Sequence, residues 1–423
     1  MAYRYEIPAK GGRPLVDIPT ELKQKTTKWV VGDTKIVIEA TDLIDEMLYE
    51  SNVVVRDLTT GEVVSPITEY GHPSVATAVI IIPYWDTDHV YAWKPARNWR
   101  GYKRIDKGEV GVDDARVIQA AVDYVAGKGG GEVRIREGEY SIGAEITLKP
   151  LVNLIGAGRE VTKLKLAYNG DMFTAPSDAR LNSQRIAHMT LDGDKANRSA
   201  GSAFNVYAYR TFFEDLVIKN FPENGLVLKG VNWQGDNTIR DCFILNNGNI
   251  GVKLDSQVSD CTLYNVWIGN NSLGLEAHVI FEANTIHVYG GQVSGSIGMK
   301  LYNSALIVNS YFEKFGKQAI IVDSSERWTG NINLIGCWVK SASMDANNTH
   351  DSILLDATGG NPIRQVKIIG CIFNATETNK PRYHIRENGD VDKTIISLCS
   401  FANHQTGAYS TVGANDVIAN NVT

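Results

Sequence analysis

Residues 211–270 read TFFEDLVIKNFPENGLVLKGVNWQGDNTIRDCFILNNGNIGVKLDSQVSDCTLYNVWIGN, and one short frame occurs in them three times. The frame is a polar or small residue, then a small or apolar residue, an outward residue and an apolar residue. It is DLVI from Asp215, DCFI from Asp241 and NVWI from Asn265. Working outward, it appears before this stretch as HMTL from His188. After it come GGQV from Gly290, NSYF from Asn309, GCWV from Gly336, GCIF from Gly370 and LCSF from Leu398, with a degenerate copy from Asn420. Spacings run from 19 to 34 residues and average about 26, so the turns vary while the strand frame persists, as loop-closure entropy allows. A period in the twenties built of short strands means a solenoid, in which coils that cannot bury their apolar side alone stack about 4.8 Å apart. The LxxLxLxxN pattern of leucine-rich repeats is missing, which leaves a mainly β chain wound as a parallel β-helix.

Side chains alternate across a strand, so the frame sorts into columns. The fourth column is Leu191, Ile218, Ile244, Ile268, Val293, Phe312, Val339, Phe373 and Phe401, all apolar and predicted to point inward. The second, also inward, is Met189, Leu216, Cys242, Val266, Gly291, Ser310, Cys337, Cys371 and Cys399. It gathers four of the five cysteines, read as stacked reduced thiols that pack as small hydrophobes. Two positions beyond the fourth column, Asn220, Asn246 and Asn270 repeat on successive coils and predict an amide ladder.

The outward columns carry any chemistry. The third is Thr190, Val217, Phe243, Trp267, Gln292, Tyr311, Trp338, Ile372 and Ser400, and the fifth brings Asp192, Lys219, Glu313 and Lys340. Together with Asp215 and Asp241 of the first column they predict one sheet face of aromatics flanked by carboxylates and lysines. Sugars fit such a face, because their C–H faces stack on rings and their hydroxyls pair with carboxylates. The same face could instead pack against another subunit.

The flanking regions differ in texture. Asp113 or Asp114 opens a helix whose Val117, Ile118, Ala121, Val122 and Val125 share a face, and Gly127 with Gly129-Gly130-Gly131 stops it. Short strands are predicted at 132–136, 140–142 and 146–148. Residues 1 to about 100 are irregular: a short helix is expected in 36–49, a hairpin around Thr60-Gly61 in 53–64, and a buried strand at 75–82. The balance of 42 Lys+Arg against 48 Asp+Glu gives −6, and no basic run marks a nucleic-acid surface. Hydrophobic content of 43% excludes wholesale disorder. No apolar run is long enough to span a bilayer and the N-terminus lacks a signal-peptide core. Five cysteines in 423 residues make no disulfide framework. HExxH, paired Cys/His spacing and GxSxG are missing, and Gly156-Ala157-Gly158 is a turn, so no metal or other cofactor is expected.

The run DDARVIQAAVDYVAGKGGGEVRIREGEYSIG…ITL…LVNLIGAG from Asp113 to Gly158 resembles the opening of the pectate-lyase-like right-handed β-helix superfamily. There a capping helix and a Gly-rich turn precede the first coils. With a preceding domain and no secretion signal, the chain is similar to bacteriophage tailspikes. The resemblance implies an N-terminal virion-attachment head in 1–100, a linker and capping helix in 101–131, and a single-stranded right-handed parallel β-helix in 132–423. It further implies a homotrimer on the phage tail, outside the host cell, held to tail or neck proteins through residues 1–100, that binds and often cleaves a bacterial surface polysaccharide such as capsule or O-antigen. The sequence stops inside a strand frame, which predicts that further chain or a partner subunit covers that end.

Glycoside hydrolysis needs two carboxylates, about 5–5.5 Å apart for retention or about 6.5–9.5 Å for inversion. Asp215 and Asp241, one coil apart, and Glu313 are the candidate catalytic residues. Phe243, Trp267, Tyr311, Trp338, Lys219 and Lys340 are the candidate substrate-binding residues. Glu313 lies three coils from Asp241, roughly 14 Å, and would need Glu282, Glu276 or another chain's carboxylate as its partner. An aspartate opening a strand is also a common turn former. A β-eliminating lyase and a non-catalytic recognition spike are the alternatives.

Overall fold

The computed structural model describes residues 114–423 except 233–234, 256, 292 and 376–377. Of the preceding part it describes only the backbones of short strands between Trp29 and Glu109. Most of the expected head domain, and all of the expected helix in 36–49 but the strand Ile36–Ile38, therefore lie outside the described residues. Among the described residues no helix is long and apolar enough to cross a membrane. The chain divides into two compact units, Met1–Lys165 and Leu166–Thr423.

In the first unit the hairpin at 53–64 is a two-residue antiparallel pairing of Val55–Arg56 with Val63–Val64. Strands Ala78–Pro83, His89–Pro95 and Tyr102–Glu109 form an antiparallel meander, and Ala78–Pro83 runs parallel to Gly131–Ile135. The helix, α1, spans Asp114–Ala126 and buries Val117, Ile118, Ala121, Val122 and Val125, the face the sequence predicts. Asp114 is fully buried and accepts the Ser141 N–H at 2.6 Å, tying the helix to the strand Gly138–Ile142. Gly129 and Gly130 end the helix at φ 92° and 109°, where a side chain would be strained.

The second unit is a parallel β-helix. Each coil contributes a strand to each of three sheets, as in Leu226–Lys229 (sheet A), Thr238–Arg240 (sheet B) and Phe243–Leu245 (sheet C). Every pairing between coils is parallel and in register, for example Leu226↔Val252, Thr238↔Thr262 and Phe243↔Trp267. Sheets B and C are separated by one residue of positive φ on each coil. It is Asp215 (48°), Asp241 (55°), Asn265 (50°), Thr285 (55°), Asn309 (49°), Gly336 (63°), Gly370 (64°) and Leu398 (58°). The first column of the sequence frame is thus a left-handed bend, which Asp, Asn and Gly tolerate best. Side chains at second-column positions hydrogen-bond to carbonyls at or near the bends. The Cys242 thiol donates to Arg240 O at 3.1 Å, Ser310 Oγ to Val308 O at 2.8 Å, and the Cys337, Cys371 and Cys399 thiols to carbonyls of the preceding coil at 3.4–3.5 Å. Apart from Val293, which is half-buried, the second and fourth columns are buried as expected.

Two readings need correction. The frame at Gly290 is displaced: the bend of that coil is Thr285, so Ile286, His287 and Val288 replace Gly291, Gln292 and Val293 in the second to fourth columns. Gln292 itself lies outside the described residues. Asn220, Asn246 and Asn270 occupy a second left-handed corner (φ 58°, 58° and 55°) rather than forming the ladder. The ladder is one residue on: Asn271 Oδ1 accepts Asn247 N at 2.9 Å, Asn247 Oδ1 accepts Phe221 N at 3.0 Å, and both side chains are buried.

Candidate functional site

Sheet C presents its third column outward from Val217 on, whereas Thr190, expected outward, is only 5% exposed. The register Val217↔Phe243↔Trp267↔His287↔Tyr311↔Trp338↔Ile372 stacks one ring above the next on five consecutive coils. Ring centroids are 6.0 Å apart for Phe243 and Trp267, 4.4 Å for Trp267 and His287, 4.7 Å for His287 and Tyr311, and 5.2 Å for Tyr311 and Trp338. Trp267 and Trp338 are 41% and 45% exposed, so a file of rings faces water. A contiguous apolar file left in solvent marks an interaction surface.

Glu313 lies beside this file, two residues from Tyr311 on the same strand. One oxygen accepts the Tyr311 hydroxyl at 2.9 Å, and the other is 3.2 Å from His287 Nε2. A carboxylate only accepts, so Nε2 carries the proton of the neutral imidazole and Nδ1 is the nitrogen left to take another. Burial pulls the His287 pKa below its ordinary 6.5, with Glu313 partly countering it, so the ring is neutral at pH 7. Burial and the bond to Glu313 push the Tyr311 phenol up to about 12, which keeps its proton in place. The fifth column sets Tyr289 and Lys340 one coil to either side of Glu313.

The other candidates fall elsewhere. Lys219 pairs with Asp192 at 3.5 Å, and the two lie four and five coils away from Glu313. Asp215 takes His188 Nδ1 at 2.8 Å, and Arg185 Nη2 donates to the far side of that ring at 2.8 Å. Asp241 accepts Asn265 Nδ2 at 2.7 Å. Both aspartates sit at bends, and neither shares a contact with Glu313. Glu276, on sheet A, pairs with Lys253 and His278, and Glu282 is on sheet B, so neither joins the file. The structure therefore unites Glu313, Tyr311, Trp267, Trp338, Phe243 and Lys340, and adds His287, which the displaced frame had hidden.

No family model matches the chain. A stretch of it is 25% identical over 194 residues to alginate lyase 7 of Azotobacter vinelandii, covering 40% of this chain and 22% of that protein. Another match, 28% identical over 184 residues, is to mannuronan C5-epimerase AlgE2 of the same organism, covering 38% of this chain and 18% of that protein. The chain thus spans about a fifth of the length of these curated relatives. Among solved structures, the A-module of the A. vinelandii mannuronan C-5 epimerase AlgE4 superposes with a TM-score of 0.57 at 19% identity, covering 73% of this chain and 97% of that one. A tailspike protein mutant of E. coli bacteriophage HK620, in complex with a pentasaccharide, superposes with a TM-score of 0.56 at 16% identity, covering 73% and 62%. The shared element is the parallel β-helix fold.

Proposed function

We propose that the chain binds an acidic polysaccharide along the ring file of sheet C and cleaves it by removing the proton next to a uronate carboxylate. The observation that carries this reading is Glu313 holding His287 and Tyr311 at once. Glu313 orients the imidazole so that Nδ1 takes the C5 proton. The electron pair left behind forms the C4=C5 double bond, the C4–O bond breaks, and the departing oxygen takes its proton from Tyr311. Lys340, one coil on, offsets the charge of the sugar carboxylate as the C5 proton leaves. The relatives named as an alginate lyase and mannuronan epimerases support proton abstraction beside a uronate carboxylate as the first step. Hydrolysis finds less support, because the outward columns of sheet C offer Glu313 no second carboxylate within the span that glycosidases use.

The test is incubation with alginate and with host capsule or O-antigen, followed by ultraviolet absorbance and reducing-end assays. Chain cleavage with an unsaturated-uronate chromophore is expected, and Glu313→Gln should lower the rate by roughly 10²-fold or more. Reducing ends without the chromophore would instead establish a hydrolase, and binding without either would establish a recognition spike. A place on a phage tail outside the cell, attachment through residues 1–100 and a homotrimer belong to the same proposal. The tailspike likeness supports them. So does the exposure of Ile335 on the coil of Trp338 and of Ile372, Leu398 and Val417 on the coils beyond it, apolar surface suited to a partner. Light scattering of the full chain reads the trimer directly.

A further inference from the structure

We propose that Glu387, Thr394 and Asp416 together hold one calcium ion, at a site remote from the ring file. Glu387 lies in the strand Tyr383–Gly389 and is only 2% exposed. Its Oε2 accepts the main-chain N–H groups of Val412 at 2.7 Å and Gly413 at 3.3 Å. Its Oε1 is buried with no hydrogen-bond partner. Two further buried oxygens share that condition: Thr394 Oγ1, on a residue with no exposed surface, and Asp416 Oδ2.

These atoms come from three segments that the coil brings together. Thr394 and Asp416 directly precede the strands Ile395–Ser397 and Val417–Ala419, which pair in register, so the two residues lie one over the other. Asp416 Oδ1 accepts Thr394 N at 2.9 Å. The Thr394 hydroxyl lies beside the Glu387 carboxyl without reaching hydrogen-bond geometry. Burial, with the nearby Asp416 charge adding to it, pushes Glu387 above its ordinary range. Gly413 keeps the space open, since a Cβ there would come within 2.5 Å of Asp416 Oδ1.

Buried carboxylate and hydroxyl oxygens are ordinarily paired, and three unpaired ones at one place call for a shared occupant. The oxygens already engaged take three main-chain N–H groups, which leaves one oxygen of each carboxylate for another partner. Two negative charges and a neutral hydroxyl oxygen suit a hard divalent cation. Ligands from three separate segments suit calcium, which accepts irregular oxygen shells, better than magnesium, which demands a near-octahedral one. The ion would join the strand 383–389, the start of the next sheet B strand and the loop 411–416, whose Asn415 is also held by Asp392 through N and Nδ2 at 2.9 Å each.

The experiment uses the full chain stripped with a chelator, then titrated with calcium chloride by calorimetry and followed by thermal unfolding. Binding of about one ion with a Kd on the order of 0.1–1 mM, and a rise in Tm with calcium, are expected. Glu387→Gln and Asp416→Asn keep the acceptors for the main-chain N–H groups and should each weaken binding at least ~10-fold, with loss of the Tm shift. Should either variant fail to fold, the wild-type titration decides alone, repeated with magnesium chloride, which should bind more weakly. No heat and no Tm shift in the wild type would overturn the proposal, as would a shift retained in both folded variants. A calcium-insensitive wild type whose Tm rises on Glu387→Gln would show that the carboxylates share a proton instead.

Discussion

Glu313 accepts from Tyr311 with one oxygen and from His287 with the other, which makes it a positioning residue if the sugar's proton goes to His287. Its loss should lower kcat much more than it raises KM, whereas Trp267→Ala, which removes a platform beside the reacting groups, should mainly raise KM. The same assignment fixes the acid limb of the rate. The base must be neutral, and burial lowers the His287 pKa below 6.5. Turnover should therefore persist into mildly acidic buffer and fall only as pH drops through that depressed value. A pH–rate profile whose acid limb lies above 6.5 would contradict the role given to His287. Glu313, Tyr311 and both tryptophans were legible in the sequence because alternation in a strand assigns each residue a face. His287 was not legible. Its coil opens at Thr285, a β-branched residue at φ 55°, where the pattern expects Asp, Asn or Gly, and Gly290-Gly291 five residues later imitated the frame better.

The turn from sheet C is made by two residues with opposite duties. Asn246 and Asn270 bend the backbone into the left-handed region, while Asn247 and Asn271 turn inward and satisfy main-chain groups. Asn271→Ala strips partners from Asn247 N and Ile244 O inside the core and should cost about 1–3 kcal/mol. Asn270→Gly suits the bend and should change stability by only a few tenths of a kcal/mol. Chemical denaturation of the two variants separates the duties, and equal losses would refute the division. The sequence shows Asn-Asn at both corners but not which member faces in, because a single bend residue shifts the parity of everything after it. In the second column alternation settles the facing on every coil but the one with the displaced Gly290 frame. Cysteine and serine there are small and donate to carbonyls beside the bends.

Across the whole chain, the repeat made the solenoid legible, whereas the contacts that tie particular coils together were not, because they join residues on different sheets. His384 is an example. It is 1% exposed, stacks 5.6 Å from Phe373 and 6.0 Å from Phe401, donates from Nε2 to Ala402 O at 2.8 Å, and accepts the Ser352 hydroxyl at Nδ1. Burial holds its pKa down at about 4 against 6.5. The unfolded chain therefore binds a proton that the folded chain refuses between those values. The stability involved is present above pH 6.5 and is lost as pH falls toward 4, by up to roughly 3 kcal/mol. His384→Gln, which keeps a donor and an acceptor but does not titrate, should flatten that part of the stability-against-pH curve. The five cysteines, all unpaired and all buried, have a practical consequence of their own. A thiol-specific reagent added to the native protein can react only during moments when neighbouring coils part, so the labelling rate at each sulfur clocks how often that stretch opens, with no attached dye needed to watch it.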